Sequence, residues 1–169
     1  MDMKTLRKRC AARIADLPIP IPFDVQIFVA SLAERRGRPI ALEPMSLQGV
    51  VSGAWVAMPS VDVVVYEQHA MPLHQRHIIL HELSHIICEH QGIDSSEKGL
   101  QSLFSAHIAA ARLRTLQDDQ YSDGEEQEAE VLASLILERV SNAQTDRSIS
   151  DPYITGTLQV LDDLEGMTS

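Results

Sequence analysis

The chain has 169 residues, and 44% of them are hydrophobic, which is enough for one core and too little for two full domains. With 14 basic and 24 acidic residues the formal net charge is −10, and this charge disfavours direct binding to nucleic acid. No apolar run reaches the roughly 18 residues of a membrane span, no apolar signal segment follows the first residues, and two cysteines make no disulfide framework. We therefore expect a cytoplasmic protein without a membrane partner.

The chain is predicted to form a single domain over residues 1–142, followed by a polar, acidic tail over 143–169 with one short helix at 155–164. Residues 1–22 comprise a helix from Lys4 to Ala15 and a Pro-rich connector, and the basic residues of this helix predict a solvated face or an internal charge match. A second helix is predicted from Asp24 to Arg36 and stops at Gly37, with apolar side chains at core spacing at Val25, Phe28, Val29 and Leu32.

Three segments have the composition of strands, at residues 39–43, 54–58 and 61–66. Pro59 and Ser60 predict a tight turn between the last two, so we expect a small antiparallel sheet. The edge of the third segment is predicted to be free to pair with an extended peptide. Helices follow at 75–89, 99–114 and 125–141, with a loop at 92–97, and this order predicts the α+β class with the sheet packed on helices.

The most informative motif is the run His81-Glu82-Leu83-Ser84-His85 on the first of these later helices. Two imidazoles one helical turn apart share a face and can reach one ion at about 2.0–2.1 Å. Glu82 lies on the flank, where a carboxylate can act as general base toward water on the metal. The motif therefore predicts a Zn²⁺ site with its own base, although two histidines and a carboxylate also suit Mn, Fe or Co.

The third ligand is predicted on the acidic helix that starts near Asp123, its expected N-cap. Glu126 and Glu130 are one turn apart, so one carboxylate can bind the metal while the other orients a ligand histidine. Glu125 and Glu128 are expected to solvate the helix and complement its dipole, and with Glu130 they are the alternative ligands. The buried stripe of this helix is predicted at Ala129, Leu132, Ala133 and Ile136.

The two histidines with Glu126, Glu128, Ala129, Glu130 and Ala133 resemble the ImmA/IrrE family of zinc metallopeptidases, whose pattern is HExxH and then a helix reading E-x-E-A-(N/D)-x-x-A-x-x-L-L. The resemblance covers residues 23–140, and Glu130 stands where the family has Asn or Asp. It implies a minimal zincin-like domain in which His81, His85 and Glu126 hold zinc and Glu82 is the base. It also implies a cytoplasmic endopeptidase that cleaves or otherwise inactivates a helix-turn-helix repressor encoded nearby.

A peptidase also needs a donor for the oxyanion, and Tyr121, just before the acidic helix, is the preferred candidate ahead of Tyr66 and His107. His74, His77 and His90 form an alternative ligand set that would make the metal structural. Cys88 lies close to the motif and is expected to pack in the core.

Two other functions fit the same motif. One is a non-proteolytic zincin-fold regulatory or toxin module that binds a repressor or antitoxin. The other is zinc-dependent hydrolysis of a small molecule, because the motif specifies water activation and not the substrate.

Overall fold

The computed structural model describes residues 2–49, 51–94 and 120–149. This part of the chain has the α+β arrangement that the sequence predicts. Its helices are α1 (Met3–Ala15), α2 (Val25–Arg36), α3 (Pro72–Ile87) and α4 (Asp123–Ile149). Its strands are β1 (Ile40–Met45), β2 (Gly53–Ala57), β3 (Asp62–Glu67) and the short β4 (Ile93–Asp94). The helices predicted at 99–114 and 155–164 lie outside the described residues.

Gly37 ends α2 as predicted, whereas Asp24, predicted as its first residue, is the N-cap just before it. The Asp24 carboxylate accepts hydrogen bonds from the backbone N–H groups of Gln26 and Ile27 at 2.8 and 3.0 Å, as an N-cap does. Gly37 closes the helix in the left-handed conformation, with φ of 64°.

The start of α4 differs from the prediction by one residue. Ser122, not Asp123, is the cap: its Oγ accepts from the Glu125 N–H at 3.3 Å, and the Glu125 carboxylate accepts from the Ser122 N–H at 2.9 Å. This reciprocal pair is a capping box, which satisfies one backbone donor at each of its two residues. The helix also runs beyond Ser141, its predicted end, to Ile149.

The sheet is mixed, with strand order β1-β3-β2-β4. Strands β2 and β3 are antiparallel, as the turn at Pro59 and Ser60 indicates, but β1 runs parallel to β3 and β4 parallel to β2. The prediction of an all-antiparallel sheet was therefore wrong, because a turn signal determines only the pairing of adjacent strands. Since β3 lies between β1 and β2, it has no free edge for a peptide, and that expectation was also wrong.

An edge position explains how β1 accommodates Pro44. The carbonyls of Pro39 and Met45 accept hydrogen bonds from the N–H groups of Asp62 and Gln68, so odd-numbered residues of β1 face β3. The position of Pro44 therefore faces away from the sheet, where its missing N–H removes no ladder hydrogen bond.

Helix α3 packs against β2, β3 and α4, and α1 packs against α4. The side chains predicted to line the core of α4 are all fully buried, at Ala129, Leu132, Ala133 and Ile136. Of those predicted for α2, Phe28, Val29 and Leu32 are buried, whereas Val25 is only partly buried. A smaller cluster covers the other face of the sheet and contains Leu47, Ala54, Val56, Val65 and Ile93. None of the helices in the described ranges is long and apolar enough to cross a membrane.

A buried carboxylate ties α2 to the sheet. Asp62 at the start of β3 is 1% exposed and accepts from the indole N–H of Trp55 at 3.1 Å. It also pairs with Arg36 at 3.3 Å and with Arg38 at 3.0 Å. Three donors on one buried carboxylate compensate its desolvation.

We expect Asp62→Ala to lower the free energy of unfolding by about 3 kcal/mol, because it leaves the buried Trp55 N–H without its acceptor and removes the carboxylate that pairs with Arg36 and Arg38. Urea denaturation measures the change. Glu43→Ala, at an exposed position of β1, is the control and is expected to change stability by less than about 0.5 kcal/mol. Equal stability of both variants would contradict the structural role of Asp62.

Candidate metal centre

Helix α3 places the two motif histidines side by side. Pro72 occupies the first turn, where its missing N–H removes no helical bond, and the helix continues without a break through His85. The Nε2 atoms of His81 and His85 lie 3.2 Å apart. His85 is fully buried, whereas the His81 side chain is 20% exposed.

Glu126 of α4 faces both of these nitrogen atoms. Its carboxylate oxygens lie 3.2 Å from Nε2 of His81 and 3.6 Å from Nε2 of His85. Ligands about 2.0–2.1 Å from one tetrahedral zinc ion are about 3.3 Å from each other, so the three spacings fit a single ion. The Glu126 side chain is 48% exposed, which leaves this side of the trio open to solvent.

Glu82 lies beside the trio and is almost completely buried, at 4% exposure. A backbone hydrogen bond involving Trp55 holds its carboxyl group, but Oε2 is buried without a hydrogen-bond partner among the described residues. Burial raises the pKa of Glu82 to about 7, and the charge of Glu126 acts in the same direction. A buried polar atom without a partner is uncommon in proteins, so this oxygen is free to accept a hydrogen bond from a ligand or a water.

The backbone of β2 packs closely against α3 at Gly53, next to Ile78 and Glu82. A Cβ atom at Gly53 of β2 would lie 2.5 Å from Cγ2 of Ile78 and 3.3 Å from Oε1 of Glu82. Only glycine therefore lets β2 approach α3 this closely.

Glu130 lies one turn along α4 from Glu126 and contacts the side of the His81 ring that faces away from the trio. Its Oε2 is 3.3 Å from Nδ1 of His81, the ring nitrogen that faces away from the trio, and 3.2 Å from Nε2 of His77. His77 is thus engaged by Glu130 outside the trio, and His74 is exposed. His74, His77 and His90, all within the described residues, do not come together as a ligand set.

Tyr121 lies directly against the site. Its ring stacks on that of His85, with centroids 3.8 Å apart and an interplanar angle of 24°. Its hydroxyl is buried without a partner among the described residues, and burial raises its pKa, with the charges of Glu82 and Glu126 adding to the effect. Tyr66 instead packs against the main core, the larger cluster of buried side chains that contains Phe28, Val64 and Leu83. His107 lies outside the described residues.

The two histidines differ in their electrostatics. Burial lowers the pKa of His85 to about 3, and the charge of His81 contributes further. Burial alone would lower the pKa of His81, but the hydrogen bond to Glu126 and nearby carboxylates raise it above its ordinary value. The same hydrogen bond lowers the pKa of Glu126. His85 is thus kept neutral, which is the form that binds metal ions.

A second group of metal-binding side chains adjoins the first and consists of Cys88, His90 and Glu128. Glu128 is 7% exposed and pairs with Arg9 at 2.7 Å, so the expectation that it merely solvates α4 was wrong. The reason is that α1 packs over this face of α4. Cys88 lies in the main core, as predicted. The sequence does not predict this group, because Cys88 and His90 lie at the end of α3 whereas Glu128 comes from α4, far along the chain.

Comparisons with protein-family models, with curated proteins and with solved structures each return no match. The likeness to the ImmA/IrrE family therefore stays a prediction from the motif residues.

We expect the wild type to bind one zinc ion and Glu126→Ala to bind it at least 100-fold more weakly, because one of three ligands is lost. Competition with a chromophoric chelator, on protein without a histidine tag, measures both affinities. Glu43→Ala is the matched control. Unchanged zinc affinity in Glu126→Ala would move the third ligand elsewhere.

Replacement of Gly53 by Ala is expected to destabilise the protein by about 1–3 kcal/mol and to weaken zinc binding, since the new methyl group displaces Ile78 and Glu82. Thermal unfolding and the chelator assay report the two effects. Gly124→Ala is the control, because a Cβ there would lie 3.9 Å from Oγ of Ser122, an ordinary contact distance. Gly53→Ala with wild-type stability would refute the close packing.

Proposed function

We propose that this protein is a zinc-dependent endopeptidase in which His81, His85 and Glu126 hold the metal and Glu82 is the general base. The observation that supports the proposal most directly is the buried, unpartnered Oε2 of Glu82 beside three converging ligand atoms. A site that only stores a metal has no need of such a carboxylate, whereas hydrolysis requires one.

Each residue has a separate task in the proposed reaction. A zinc ion bound by the trio supplies a Lewis acid and lowers the pKa of its water toward about 7. Glu82 takes the proton of the attacking water at Oε2 and passes it to the nitrogen of the leaving amine. Glu130 fixes the orientation of the His81 ring through Nδ1.

Tyr121 is the proposed oxyanion donor. Its stacking on His85 holds the phenol next to the metal ligands, and its raised pKa keeps the proton on the hydroxyl. A neutral phenol can donate one hydrogen bond to the oxygen that becomes negative when the carbonyl is attacked.

The proposed fold type is a minimal zincin-like domain, in which the motif helix α3 packs against a small mixed sheet and α4 supplies the acidic ligand. The proposed substrate is a helix-turn-helix repressor encoded nearby, and the proposed compartment is the cytoplasm, both on the basis of the resemblance to the ImmA/IrrE family. The net charge of −10 favours encounter with a basic DNA-binding surface.

We expect Glu82→Gln to lower the rate of repressor cleavage by 10²–10⁴-fold while zinc affinity stays within a few-fold of wild type, because the variant loses the base and keeps the ligands. Cleavage of the purified neighbouring repressor is followed by gel electrophoresis and mass spectrometry. Glu43→Gln serves as the control with an unchanged rate.

Two outcomes would contradict peptidase chemistry. If Glu82→Gln inactivated the repressor in cells as well as the wild type does, the protein would act by binding its partner without cleaving it. If neither the wild type nor Glu82→Gln cleaved a repressor but both bound zinc, the substrate would belong to another class.

A further inference from the structure

We propose that His90 is a positioning residue that sets the tautomer of His85, that Glu128 supports His90 in this role, and that the group which these two residues form with Cys88 does not bind a second ion. The inference rests on the proposed metal site. It concerns the ring nitrogen of His85 that faces away from the metal ligands.

The chain turn after α3 brings His90 back onto the helix. The His90 N–H donates to the His85 carbonyl at 3.0 Å, and the Glu89 N–H donates to the Ile86 carbonyl at 3.2 Å. These are the two bonds of a Schellman motif, with Glu89 in the left-handed conformation at φ of 61°. As a result Nδ1 of His90 lies 3.0 Å from Nδ1 of His85.

The number of protons on the two rings determines which histidine donates in the hydrogen bond between His85 and His90. Each neutral imidazole carries one N–H, and a hydrogen bond between the two Nδ1 atoms places one proton between them. When His85 uses Nε2 for the metal, its proton must lie on Nδ1, so His85 donates and Nδ1 of His90 accepts. The proton of His90 then lies on its Nε2.

The Glu128 carboxylate lies near Nε2 of His90, the atom that carries this last proton. Nε2 of His90 is 3.6 Å from the Glu128 carboxylate, and the His90 side chain is only 6% exposed. Arg9 of α1 holds the carboxylate through contacts of 2.7 and 3.1 Å, and Arg13 approaches it to 3.7 Å. The carboxylate is therefore held in place beside Nε2 of His90.

The number of imidazole protons also excludes metal ions bound at the same time by the trio and by the group of Cys88, His90 and Glu128. A metal on Nε2 of His90 would place the His90 proton on Nδ1, which would then donate to His85. His85 would carry its own proton on Nε2 and could not bind the first ion. Two guanidinium groups at Glu128 further disfavour a cation there.

The first test compares zinc affinity by chelator competition in wild type, His90→Leu and His90→Gln. We expect one equivalent of zinc in the wild type and a dissociation constant 10–100-fold higher in His90→Leu. His90→Gln should stay within about threefold of wild type, because its amide oxygen accepts the His85 N–H. Cys88→Ser should bind zinc as the wild type does.

The second test needs no variant. Long-range ¹H–¹⁵N spectra of the zinc-loaded wild type should show His85 protonated at Nδ1 and His90 protonated at Nε2. A proton on Nδ1 of His90 would overturn the inference, even if His90→Leu failed to fold.

The remaining outcomes separate this inference from the proposed function. Wild-type affinity in His90→Leu would refute the positioning role and leave the metal centre intact. Two equivalents of zinc in the wild type, with one lost in Cys88→Ser, would establish a second metal site instead. Absence of zinc binding by the wild type would overturn the metal centre and this inference together.

Discussion

The close packing of α3 against α4 is the constraint on which the site depends. No single element holds more than two of the three proposed ligands, so the trio exists only while these helices stay together. The buried face of α4 carries the small side chains Ala129 and Ala133, which let neighbouring helices approach. Carboxylates one turn apart on its solvent side can then reach the imidazoles of α3. Folding of the core and assembly of the site are therefore one event, and a bound ion would stabilise both by mass action.

The two proposed ligand histidines are held in different ways. His81 is partly exposed and faces Glu130, itself a half-exposed carboxylate. His85 is fully buried and contacts His90 on one side and the Tyr121 ring on the other. The support of His85 extends through Glu128 to Arg9, so α1 contributes to the site although none of its residues is near the trio in sequence. The basic surface predicted for α1 is in this respect an internal charge match.

The sequence predicts the features that depend on local spacing. The histidine pair of α3, the buried stripe of α4 and the end of α2 at Gly37 follow from helical periodicity and capping chemistry. It does not predict features that join distant segments, such as the parallel pairing of β1 with β3 or the burial of Glu128 under α1. The role of His90 lies between these cases, because it depends on a left-handed turn at Glu89, where the usual signal would be glycine.

Pro44 has a consequence for association between copies of the chain. The outer edge of β1 presents the backbone of Ile40 and Leu42 with both N–H and C=O groups, but at Pro44 it presents a carbonyl alone. An extended segment from another molecule would therefore find a ladder of only two donors before it met a position that cannot bond. The missing N–H of Pro44 therefore disfavours the pairing of a strand from another molecule with β1, the edge strand farthest from β4.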